Sequence, residues 1–247
     1  MTPPLAIDLS SLDAAYVRKR FGLNGKSCVF LFTFVSHTGG GFERKNPFAV
    51  IEAFRSAFTR GEEAVLVIKT TPPYPLAFAK NLRSYVRGYR EHSRLTKASS
   101  GRVIIVDEYM TNTELLSLIS SCDCLVSLHR SEGFGQALAE AMYLGKPVIA
   151  TAFSGNLDFM RSDNSLLVDY TIVPTGIEFE AFGPGSENYT WAEPDIDHAS
   201  ELMRWVFLHR EEARALGEKA ALGIRELMNP ARVGQNIREK CANLMCT

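Results

Sequence analysis

Ser131-Glu132-Gly133-Phe134-Gly135-Gln136-Ala137-Leu138-Ala139-Glu140-Ala141-Met142-Tyr143-Leu144-Gly145-Lys146-Pro147-Val148-Ile149-Ala150-Thr151 is the stretch whose reading decides the fold. Ahead of it an apolar run over 124–128 gives way to polar residues and a Gly-Phe-Gly turn. A helical stretch follows over 136–144, Gly145 stops it, and Pro147 opens a second apolar run. Strand, glycine turn, helix and strand in that order make one unit of a parallel sheet. In such sheets the turn into the helix is where phosphate binds, because the first backbone N–H groups of the helix are unpaired and lie at its positive end. Glu132 and Glu140 flank that turn. A carboxylate beside a phosphate cradle is electrostatically wrong unless it faces hydroxyl groups, from which it can accept. Phosphate and hydroxyls on one ligand point to a sugar nucleotide.

Working outward, the same alternation recurs. A β-rich run over 28–35 reads as the first strand, and Ser10 or Ser11 is positioned to cap a helix over 13–21 before it. A polar loop with Gly39, Gly40 and Gly41 leads to a helix over 47–59, with Pro47 at the first position, where its missing N–H does no harm. Strands are expected over 65–69, 102–106, 123–128, 147–150 and 165–168. Helices are expected over 74–92, over 155–161, and from Thr111 to 120, where Thr111 and Glu114 make a capping box. Residues 171–189 read as an irregular, glycine-bearing segment, and from 197 the pattern is helical: 197–209, 211–228 and a last helix after Pro230. Six strands alternating with helices imply an α/β, Rossmann-like, doubly wound parallel sheet with a C-terminal helical tail.

Composition is that of a globular domain: 247 residues, 46% hydrophobic and 22% charged. A net charge of −1 offers no attraction to nucleic acid or an anionic membrane. No apolar run approaches the ~20 residues that cross a bilayer. The five cysteines lack metal-ligand spacing and read as reduced thiols of a cytoplasmic protein.

Residues 131–151 resemble the signature of the family 4 retaining glycosyltransferases, in which two glutamates separated by seven residues lie in the C-terminal, donor-binding half of a GT-B fold. Glu132 and Glu140 match that pair. Phe42-Glu43-Arg44-Lys45-Asn46-Pro47 resembles the family's basic loop, and Ser154-Gly155-Asn156-Leu157-Asp158 and Trp191-Ala192-Glu193-Pro194-Asp195 resemble later segments. The resemblance implies a hexosyltransferase that uses a nucleotide diphosphate sugar as donor, without metal or other cofactor. A glycan or lipid-linked saccharide is the implied acceptor. It makes residues 1–247 one donor-binding domain, with 1–22 the linker from an N-terminal acceptor domain and 195–247 the C-terminal helices. Peripheral membrane contact would come through that other domain, and the isolated chain is expected to transfer nothing. The alternative is a non-catalytic sugar-nucleotide binding module.

By the same resemblance Glu132 meets the donor sugar, Glu140 the ribose hydroxyls, and Gly133, Phe134 and Gly135 the diphosphate through backbone N–H groups. Lys45 and Arg44 supply positive charge to the leaving diphosphate, Gly40 joins the anion nest, and Tyr109 and Met110 lie where the base packs. Lys69, at the carboxyl end of the second strand, is either a ligand contact or a surface charge. His129 and Arg130 read as surface salt-bridge residues. Arg44 and Lys45 just ahead of a helix start would oppose its dipole, which favours an anion nearby. Phe42, Phe134 and Phe153 are expected half-exposed on the ligand-side loops, and the stripe Val233, Ile237, Cys241 and Leu244 of the last helix incompletely covered.

Overall fold

A computed structural model describes residues 3–23, 25–35, 41–59, 61–71, 102–176 and 183–245. The helix expected over 74–92, His37, Gly39 and Gly40 lie outside the described residues. Strands β1 (Cys28–Thr33), β2 (Ala64–Thr70), β3 (Arg102–Asp107), β4 (Cys124–Ser127), β5 (Val148–Thr151) and β6 (Leu166–Val168) form one sheet in the order β3-β2-β1-β4-β5-β6. All neighbours in it are parallel. Such a sheet must be covered on both faces, so its strands are apolar on both sides. Along β1, Phe30 and Phe32 enter one apolar layer and Val29 and Leu31 the other.

The helices are α1 (Ala14–Arg20), α2 (Gly41–Lys45), α3 (Pro47–Ala57), α4 (Asn112–Ser121), α5 (Gln136–Tyr143), α6 (Ile196–Leu208), α7 (Arg210–Leu227) and α8 (Pro230–Met245). Helices α3 and α6 cover the face of Phe30, while α1, α4, α5 and α7 cover the other. An aromatic knot holds the first layer: the Phe30 ring lies 6.0 Å from Phe54 and 5.4 Å from Phe58, and Phe58 lies 5.3 Å from Phe207 of α6. Each fully buried phenylalanine contributes about 1.5–3 kcal/mol. Burial pushes the Cys28 and Cys122 thiols up to about 12, which keeps them protonated and unreactive.

The capping box is present: the Thr111 hydroxyl accepts from the Glu114 N–H, and the Glu114 carboxylate accepts from the Thr111 N–H. Three local expectations differ. Asp13, not Ser10 or Ser11, caps α1, accepting from the Tyr16 N–H, because the serines fall in a 3-10 turn that Asp8 caps. The helix expected over 155–161 is only a 3-10 turn, Gly155–Asp158. The segment read as irregular opens with a strand, β7 (Tyr170–Pro174), which pairs antiparallel with β8 (Thr190–Pro194) just beyond it. The two strands are separated by a long glycine-bearing connection, which hid the pairing from a reading of short-range pattern.

At the tail, Val233 is buried while Ile237 is 41% exposed and Cys241 is exposed, so the stripe of α8 is partly uncovered as expected. Phe42, Phe134 and Phe153 are half-buried. Among the described residues no helix is long and apolar enough to cross a membrane.

Helix α7 approaches the α5–β5 turn so closely that a Cβ on Gly217 would lie 2.4 Å from the Gly145 carbonyl oxygen and 2.7 Å from the Pro147 nitrogen. Helix propensity favours alanine at such a site by about 1 kcal/mol. Here the obstacle is backbone, which cannot rotate away. Gly217→Ala is therefore expected to lower stability by about 1–3 kcal/mol, the usual cost of overpacking. Urea unfolding measures it, and an unchanged midpoint would mean that α7 can shift outward freely.

Candidate functional site

The chain leaves β1 toward one face of the sheet, into α3, and leaves β4 toward the other, into α5. These two strands are neighbours, so a crevice opens between their carboxyl ends. Three of the sequence-chosen residues meet there. Lys45 Nζ donates to Glu132 Oε2, and Arg44 Nη1 lies 3.8 Å from the same oxygen. Arg44 Nη1 also donates to the Ser131 carbonyl at 2.8 Å. The Glu132 side chain is only 12% exposed, so this charge cluster is held against protein rather than loose in solvent.

The placement corrects one premise. Arg44 and Lys45 occupy the last turn of α2, a separate five-residue helix, where cations agree with the helix dipole. The supposed mismatch at the start of α3 is absent. What marks the pair is its convergence on a carboxylate from another segment.

The glycine turn is shaped by its neighbour after β5. Glu132 donates its N–H to Ser154 Oγ at 2.7 Å, and Gly155 N–H donates to the Glu132 carbonyl at 2.9 Å. A Cβ on Gly155 would lie 2.1 Å from the Gly133 carbonyl oxygen, so only glycine lets the two loops touch. Ser154 sits at φ 75, a sparsely populated conformation for a residue with a side chain, and its hydroxyl is the one Glu132 uses. Gly135, at φ 90, turns the chain into α5 and offers no side chain to cap the first turn. Phe134 packs on Phe159 at 5.2 Å. One turn into α5, Glu140 is 5% exposed and accepts from Gln136 Nε2 at 2.8 Å. Burial raises its carboxyl above the ordinary 4.5, and the Gln136 bond only partly offsets this.

The other chosen residues stand apart from the cluster. Lys69, 3% exposed, donates to the Thr70 carbonyl at 2.8 Å, and burial lowers its ammonium against the opposing pull of Glu108 and Asp107. It is neither a surface charge nor in reach of Glu132. Tyr109, beyond the far strand β3, is 71% exposed, whereas Met110 packs on the apolar layer of α4. Gly40 lies outside the described residues.

Two residues read as surface salt-bridge formers divide. His129 is fully buried. Its Nε2 faces two acceptors, the Phe153 carbonyl and Asn156 Oδ1, each at 3.2 Å, which places the ring proton on Nε2 and leaves Nδ1 to accept from Ser127. Burial lowers its pKa. A histidine ending a strand among small polar residues gave no sign of this, since its partners come from the loop after β5. Arg130 does form an ion pair, with Glu193 of β8 at 2.6 Å. Ser154 and Gly155 went unassigned as site residues, although a polar-glycine pair just past a strand end was visible.

The assembled edge offers two cations, a carboxylate bound to them, an uncapped helix start and a buried carboxylate one turn further on. Cations fit phosphate, and carboxylates fit hydroxyls. Among the described residues no His, Cys, Asp or Glu group of three could hold a metal ion.

Solved structures with the same architecture include HepE of Anabaena in complex with UDP and glucose, at 15% identity and a TM-score of 0.65, where the match covers 96% of this chain and 53% of the other. Sucrose-phosphate synthase from Thermosynechococcus elongatus matches at 19% identity and a TM-score of 0.66, over 98% of this chain and 52% of the other. The pneumococcal O-GlcNAc transferase GtfA, in complex with UDP and GlcNAc, matches at 16% identity and a TM-score of 0.60, over 97% and 39%. The chain thus spans about half the length of the first two. No curated protein matches it by sequence. The family described as glycosyl transferases group 1 matches residues 33–222, from the end of β1 into α7. With strands β2 to β6, the glycine turn and the charged edge inside that span, the chain belongs to the group 1 glycosyl transferases.

Proposed function

We propose that this chain is the donor-binding domain of a retaining glycosyltransferase, which moves a hexose from a nucleoside diphosphate sugar to a glycan or lipid-linked saccharide. Residues 1–22 then lead from an acceptor domain, and the reaction runs without metal at a cytoplasmic site. What carries the reading is the convergence of Lys45, Arg44 and Glu132 at the β1–β4 crevice. Glycosyl transfer breaks the bond between the anomeric carbon and a phosphate oxygen, and the electron pair leaves with the diphosphate. Fixed positive charge at that oxygen lowers the barrier. Lys45 and Arg44 supply it, and Gly133, Phe134 and Gly135 direct backbone N–H groups to the same diphosphate at the α5 start.

As phosphate takes over the cations, Glu132 is released to accept from the donor sugar's hydroxyls. Glu140 accepts from the ribose diol, and the base extends toward Tyr109 and Met110. The UDP and sugar held by HepE support a nucleotide sugar here.

Titration calorimetry with UDP, GDP and dTDP in the presence of EDTA tests the reading. At least one should bind, and Lys45→Met should weaken it by about 1.5–3 kcal/mol, the worth of a hydrogen bond to a charged group. Silence with all three at millimolar concentration would sink the proposal.

Glu140→Gln is expected to cost about 1–2 kcal/mol of nucleotide affinity, because a neutral amide is the poorer partner for a diol. The wild-type affinity also carries a pH signature. Only the ionised carboxylate accepts from both hydroxyls, and burial has raised its pKa above 4.5. Affinity should therefore hold at neutral pH and fall as pH drops toward that raised value, while Glu140→Gln removes this component. A drop of equal size in wild type and variant would assign it to another group.

A further inference from the structure

We propose that Arg130 is a positioning residue for the phosphate-binding cations, acting by holding α2 in place from its carboxyl end. The inference rests on the assignment of Lys45 and Arg44 to the donor phosphates. Helix α2 has five residues, far short of the length at which a helix persists alone. Its terminal carbonyls therefore need partners from elsewhere. The Phe42 carbonyl accepts from the Asn46 N–H at 2.8 Å, within the same segment. The next two accept from a single residue: Glu43 from Arg130 Nη1 at 2.9 Å, and Arg44 from the Arg130 backbone N–H at 2.8 Å. Side chain and main chain of Arg130 thus close the end of the turn that carries both cations.

Arg130 is in turn fixed on its far side. Its Nε donates to Glu193 Oε2 at 2.6 Å and its Nη2 to Glu193 Oε1 at 2.9 Å, a two-pronged pair that only a guanidinium can make. The guanidinium lies 4.8 Å from the Trp191 ring centre, and the Arg130 carbonyl accepts from the Ala192 N–H at 3.0 Å. So β8, outside the main sheet, sets the guanidinium, the guanidinium sets α2, and α2 delivers Lys45 to Glu132. Two residues on from Arg130 in the chain, Glu132 is placed by the same loop. A simple strap for the hairpin would need Glu193 and Trp191 but not the two carbonyls of α2.

The test is a double-mutant cycle read by calorimetry with UDP, GDP and dTDP, together with hydrogen exchange. Arg130→Gln should weaken the nucleotide that binds by about tenfold, as a displaced binding group does. In a Lys45→Met background the same change should cost clearly less, because only Arg44 is then left for it to position. Glu193→Gln, which keeps the arginine and removes its anchor, should fall between, and it serves if Arg130→Gln does not fold. Arg130→Lys should not restore affinity. Amide exchange over residues 42–46 should accelerate in Arg130→Gln while the β1 and β4 amides stay protected.

Equal losses with and without Lys45, or unchanged exchange in α2, would overturn the inference and leave the assignment of Lys45 standing. No effect of Lys45→Met itself would instead overturn that assignment. The exchange arm reads the Arg130 contact whether or not any nucleotide binds.

Discussion

A parallel sheet buried on both faces has to send its helices to opposite sides, and in this chain the change of side falls between β1 and β4. Everything at the carboxyl edge follows from that reversal. It sets the carboxyl ends of β1 and β4 side by side, the place where parallel sheets hold their ligands. It also brings α2 and the glycine turn, almost ninety residues apart in sequence, to the two lips of one opening. The Phe30, Phe54, Phe58 and Phe207 knot below keeps α3 and α6 on their face, so the lip carrying α2 stands on a rigid base.

On that base, charge is arranged by segments too short to be stable alone. Arg44 and Lys45 lie on a five-residue helix, and Glu132 on a turn whose shape depends on Gly155 having no side chain. Each gains its position from a neighbour: α2 from Arg130, the turn from Ser154 and Gly155, and the loop after β5 from the buried His129. Glu132 neutralises the cations, so they are not left as an uncompensated pair in a partly buried place. The two cations are thereby gathered by folding itself.

The hairpin β7–β8 lies outside the six-stranded sheet and brings Trp191 and Glu193 to the back of Arg130. The brace therefore reaches α2 from outside the main sheet.

Local pattern was enough for most of the scaffold. Apolar runs bounded by glycine and proline marked the six strands, Pro47 marked the start of α3, and the Thr111–Glu114 pair marked the start of α4, because each depends on residues within a turn or two. The glycine turn and its two glutamates were legible for the same reason. The hairpin was not, since the two halves of its ladder are separated by a long connection and neither carries a tight-turn signal. Nor could the sequence set the geometry of the charges. That Arg44 and Lys45 end a helix of their own, that both reach Glu132, that His129 is sealed inside and that Lys69 turns to its own strand end are outcomes of long-range packing. Spacing along a chain determines which residues share a turn or a face. Which charges meet across a crevice is decided only when the sheet reverses and folds distant loops together.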